Sequence, residues 1–288
     1  MLTDVLALVL LQLALGVAFW TAVTPSRDLS GGFFVLHGAT SAVCLFLVWL
    51  VSGGGSFLLR KGMGTPSLVA PGSLLLAALV AAAASTLLAR LSSTGTLTHS
   101  RNPLFLYLSK NLLFLSFFFC LALLVSRVRV EPFLSHRGIG PLWLGCGLLL
   151  GALFFGAVVW SMNLGHWYLV SSSLPFGLLV RATEAFAVLA VIRAAYAVVA
   201  LGVVARGSTG EGGEALAFLL DPMRDGFFFW SRVLWGLVAP LVLAPFVVKT
   251  ARMKSSQAAT GLLYVGLVFV LVGELLASYL TLRSGLPV

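Results

Sequence analysis

Charge is what this chain has least of. Asp, Glu, Lys and Arg make up 9% of its 288 residues, where a soluble domain carries about 25%. So few charges cannot cover a water-facing surface, and with 60% hydrophobic residues and a mean hydropathy of +1.07 the solvent implied is lipid. Cysteine is nearly as scarce. Cys44, Cys120 and Cys146 each lie in an apolar run with no CxxC or metal-type spacing, which suits small buried hydrophobes and says nothing of redox compartment. Catalytic signatures are absent too: the sequence contains no GxSxG, HExxH or Walker A, and no GxGxxG in a strand–helix setting. A soluble-type active site is therefore not expected.

The charge that is present is mostly basic, giving a formal net charge of +9. Lys and Arg fall in ones and twos between apolar runs, the pattern of loop anchors on a membrane protein; a nucleic-acid surface would cluster them, so no nucleic-acid partner is expected. Before the first apolar run there is Asp4 and no basic residue. A cleaved signal peptide begins with a basic region, so the first run reads as a retained span.

An apolar run of about 20 residues spans a bilayer as a helix. Eight such runs predict an all-α polytopic bundle forming one transmembrane domain over 1–288, with spans at 3–23, 33–52, 67–91, 104–126, 139–162, 174–205, 227–248 and 258–282. The piece 214–225 (EALAFLLDPMRD) is too short to cross and reads as an interfacial helix between the sixth and seventh spans. The face carrying both termini has eight loop Lys and Arg against six on the other, a lean toward cytoplasmic termini, as in a bacterial inner membrane. No repeat between the two halves is visible, which weighs against an inverted-repeat transporter.

Against this apolar background, 163–193 (NLGHWYLVSSSLPFGLLVRATEAFAVLAVIR) concentrates polar groups. His166-Trp167-Tyr168 is predicted to lead through Ser171-Ser172-Ser173-Leu174-Pro175 into a helix bearing Arg181, Glu184 and Arg193. Because alternate spans start on the same face, His37, Lys110 and His166 share a depth. Arg181 and Glu184, three apart, share a helix face, and Glu274 lies deeper. Ionisable groups inside a bilayer usually mark a pathway or a site, so this set predicts a polar shelf above a carboxylate.

Plainer roles compete for each member. His37 can bond a neighbouring helix, and His166-Trp167-Tyr168 can be an interfacial aromatic belt. Arg181 and Glu184 can be a structural pair, Glu274 can simply hold a buried base, and Lys110 and Arg232 can snorkel to headgroups.

Three chemistries fit the shelf. In a quinone site, His37, Lys110, His166, Trp167, Tyr168 and Arg181 would line the ring, with His166 and Glu184 exchanging protons. A b-type haem could take only His37 and His166 as axial ligands. A proton-coupled small-solute transporter would load Glu184 and Glu274, with Arg181 or Arg193 as counter-charge.

The last two spans, WSRVLWGLVAPLVLAPFVV and GLLYVGLVFVLVGELLASYLTLRSGLP, carry an Arg near the start of one, a Gly-x-x-x-Pro-Leu, and a final helix with a Gly-x-Leu, a Tyr and a terminal Gly. In these features they resemble the polysulfide-reductase-type membrane subunits. Gly273-Glu274 departs from that pattern, where an apolar pair is expected. The resemblance implies eight spans, a quinone-linked role as one subunit of an oxidoreductase complex, partner subunits carrying iron–sulfur clusters or haems, and no haem in this chain. The expectation is thus a respiratory membrane subunit exchanging electrons and protons with quinone. A proton-coupled transporter and an accessory structural subunit stand as the alternatives.

Overall fold

The computed structural model describes residues 1–25, 29–51, 71–93, 103–130, 141–170, 174, 176–206, 217, 220–221 and 225–284. Among these, eight helices are long and apolar enough to cross a membrane, and the protein is an integral membrane helix bundle. They are α1 (Leu2–Val23), α2 (Gly31–Val51), α3 (Pro71–Ser93), α4 (Pro103–Val130), α5 (Pro141–Val170), α6 (Gly177–Arg206), α7 (Gly226–Arg252) and α8 (Ser256–Ser284). Several expectations lie outside the described residues. They include the loops bearing Arg27, Arg60, Lys61, Arg101 and Arg137, the turn at 171–173, and most of the interfacial segment 214–225.

The fifth span corrects the sequence reading. His166-Trp167-Tyr168 does not open the sixth crossing; it forms the last turns of α5, which runs on to Val170. Nothing between Met162 and Val170 breaks a helix, and the breakers come only afterwards, in Ser-Ser-Ser-Leu-Pro.

α1 and α5 form the spine. α2, α3 and α4 pack to one side of it, and α6, α7 and α8 to the other. Glycine makes the spine possible: a Cβ at Gly16 would strike the Ala152 carbonyl and the Gly156 backbone, and one at Gly156 would strike the Gly16 backbone. Small residues let backbones approach in a membrane, where water supplies no drive for apolar faces to pair. α5 is the most enclosed of the eight helices. Each half has its own apolar core, one around Leu15, Leu45, Leu113 and Leu123, the other around Phe154, Phe186, Leu263 and Val270. Phe154 and Phe186 stack across α5 and α6 with centroids 5.7 Å apart.

α7 is not uniform. Arg232–Val238 is a π-helix, and the Ala239 N–H bonds the Leu234 carbonyl five residues back. Pro240 accounts for the placement: it has no N–H to give, and its ring crowds the carbonyl four residues earlier, so the preceding turn widens.

Candidate functional site: a buried arginine–glutamate–arginine cluster

Successive helices alternate in direction, so side-chain depth can be assigned to a face. The face where α1 begins is called proximal and the opposite one distal. Even-numbered helices begin on the distal face.

The predicted shelf residues do lie toward the distal face, but as separate local contacts. His37 on α2 is fully buried; its Nδ1 lies 2.8 Å from the Phe33 carbonyl and its Nε2 3.3 Å from Asn163 Nδ2 on α5. The Phe33 ring sits between His37 and Trp167, with centroids 4.2 and 6.0 Å away respectively. Tyr168 is buried and packs on Phe176. Lys110 on α4, half-buried, donates to the Thr24 carbonyl just beyond α1 (2.5 Å). His166 and Arg181 are exposed. A haem bound by His37 and His166 would need a free nitrogen on each ring, and both nitrogens of His37 are engaged.

Glu184 does not pair with Arg181. It accepts from Arg252 Nη2 at 2.7 Å, and the pair is largely exposed, with side-chain accessibilities of 40% and 64%. α7 ends beside this turn of α6 and brings Arg252 within reach, whereas Arg181 faces outward. An exposed ion pair contributes little. Glu184→Gln is accordingly expected to change stability by less than about 1 kcal/mol, read as an unfolding midpoint in detergent.

The densest charge lies elsewhere, nearer the proximal face. Glu274 on α8 is 0% exposed, Arg232 on α7 1%, and Arg193 on α6 3%. Arg193 grips the carboxylate with two bonds, Nε to Oε1 at 3.1 Å and Nη2 to Oε2 at 3.2 Å. Arg232 reaches the same Oε1 through Nη2 alone, at 3.1 Å. Its Nε and Nη1 have no hydrogen-bond partner among the described residues. Arg232 therefore does not snorkel, contrary to the sequence expectation. The wide π turn sets it inward, and Gly236 and Gly273 clear the space: a Cβ at either would meet its guanidinium.

Two further elements complete the enclosure. Gln12 on α1 donates to the Leu148 carbonyl (3.2 Å) and accepts from Ser278 Oγ (3.3 Å). Gly151 on α5 has no side chain to spare, since a Cβ there would collide with Glu274 Oε2 and lie 3.0 Å from Gln12 Nε2. Gly147, one turn earlier, makes the same allowance for the Tyr196 hydroxyl, which donates to the Trp143 carbonyl. Beside the cluster is a small cavity with room for about one water molecule, walled by Gln12, Gly147, Arg193, Glu274, Ser278 and Thr281 among others. Arg232 is not part of that wall.

The sequence marks Glu274 and Arg193, shows Gly151 only as half of a Gly-xxx-Gly pair, and gives no role to Gln12 or Ser278. A Gln in the first span was a detectable signal, being a polar amide in a run that is otherwise apolar over four turns. The spacing Gly147-xxx-Gly151 also stands out, although its purpose here is to admit polar side chains and not a second backbone. No family model matches the sequence, and no curated protein is similar enough to count as a relative. Among the described residues the fold defines a class: an integral membrane bundle with eight helices of membrane-crossing length and a charged triad sealed inside its second half.

Proposed function

We propose that the protein is a membrane transporter of a small solute, working through the Arg193–Glu274–Arg232 cluster. One observation carries this reading: three full charges from three helices meet inside the bundle, next to a polar-walled cavity. Each charge held in hydrocarbon costs roughly 2.5 kcal/mol or more. Replacing a buried triad with apolar side chains is commonly neutral or stabilising. Mere adhesion between α6, α7 and α8 could therefore be had more cheaply, and charge retained at that cost fits a ligand site. The quinone-linked expectation is supported less by geometry. Its His37 would have to break an existing contact to bond a quinone oxygen, and its Glu184 stands at the surface with Arg252.

The test is flux through the purified chain alone. Proteoliposomes would be challenged with jumps of small anions, cations and neutral solutes, and the response followed as current and as internal pH. A response present in wild type and lost in Arg193→Gln supports transport. Silence across the panel, together with co-purification of iron–sulfur or haem subunits and quinol oxidation, would replace this reading with the quinone-linked one.

A further inference from the structure

Glu274 serves two arginines, and its two bonds to Arg193 form a charge-neutral pair. Arg232 is then the cation in excess. It shares one carboxylate oxygen through one nitrogen, while Nε and Nη1 are without a partner among the described residues. A guanidinium buried to 1% exposure with two idle nitrogens is an unfinished arrangement. The cavity, meanwhile, opens onto Arg193 and Glu274 and not onto Arg232.

From these facts we infer that the cavity takes a small monovalent anion, which replaces Glu274 on Arg193 and releases the carboxylate to pair fully with Arg232. The exchange leaves two neutral pairs, anion–Arg193 and Glu274–Arg232, where there had been one pair and a surplus cation. No bond is made or broken beyond hydrogen bonds, and no proton need move. Size selects the ligand. Room for about one water admits a monatomic anion such as a halide, and it excludes phosphate or a carboxylate ligand. Charge selects it as well, since a cation would face Arg193 and a neutral molecule would leave Arg232 unbalanced. Gly151 leaves the carboxylate room, since a Cβ there would collide with Glu274 Oε2.

This inference names the solute class for the transport reading and rests on it, but the two can fail separately. Purified protein would be melted at constant ionic strength while gluconate, too large for the cavity, is exchanged for chloride. The melting temperature is expected to rise by roughly 3–8 °C as the small anion saturates the site. Arg232→Gln removes the surplus cation and should abolish the rise; Arg193→Gln removes the anion's seat and should do the same. Both variants keep at least one member of the pair neutralised or absent, so neither adds net buried charge. Glu274→Gln leaves both arginines and should bind the anion more tightly, by at least about tenfold.

Equal rises in wild type and all three variants, or none in wild type, would overturn the anion site. Anion-dependent melting with the expected variant pattern but no flux in proteoliposomes would leave the site standing and end the transport reading. Flux of a neutral solute with no anion effect would do the reverse.

Discussion

Glu274→Leu is expected to cost about 3–5 kcal/mol, because it strands two arginines without their shared partner inside the bundle. The variant should accumulate poorly or melt far below wild type. The informative comparison is the triple replacement Arg193→Met, Glu274→Leu, Arg232→Met. It removes every charge and leaves side chains of similar volume in an apolar setting, so it should recover most or all of the lost stability. Unfolding midpoints of the three proteins in one detergent decide the matter. If the triple variant is as damaged as the single one, the cluster holds the helices together by more than charge balance, and its retention needs no functional explanation.

The second large effect is expected at the α1–α5 crossing. Gly156→Leu drives a branched side chain into the Gly16 backbone, and two packed helices cannot yield as a flexible side chain would. The cost should be about 3 kcal/mol or more, seen as loss of the monodisperse peak on size-exclusion chromatography and a lowered midpoint. Gly261→Ala on α8 is the control. A Cβ there meets nothing within 4 Å, and relief of a helical glycine should leave stability unchanged or raise it by up to about 1 kcal/mol. A tolerated Gly156→Leu would mean that the spine is not the close contact described.

The architecture was legible because membrane solvent imposes one rule on every segment: backbone polar groups must be satisfied within the helix, so run length alone counts the crossings. Eight runs predict eight helices; most ends shift by four residues or fewer, and the largest shift is at the fifth span, which runs on to Val170 where the sequence suggests an end at Met162. Depth was legible as well. Direction alternates, and it sets His37, Lys110 and His166 toward the same end of their helices. Rotation about the helix axis was not. Whether His166 and Arg181 point inward depends on which neighbour each helix meets, and in helices apolar all round no amphipathic stripe records that choice.

Arg232 failed for a related reason. Its position near the start of α7 matches a headgroup anchor, and only the π turn ahead of Pro240, with Gly236 and Gly273 opposite, aims it at Glu274. Gly273-Glu274 itself was noticed as a departure from a familiar pattern. That departure turns out to hold two of the residues on which the cluster depends, one donating charge and the other space.

The widened turn in α7 works as a phase setter. A π segment carries one residue more than the regular helix would need, and a single residue corresponds to roughly 100° of rotation. Shortening 232–238 by one position would restore the ordinary winding and swing everything before it, Arg232 and the aromatic run Phe227–Trp230 included, about a quarter turn relative to Lys249 and Arg252. The guanidinium would then leave the carboxylate and face the lipid, with its amino-acid identity unchanged. In this helix, the count of residues matters as much as their chemistry.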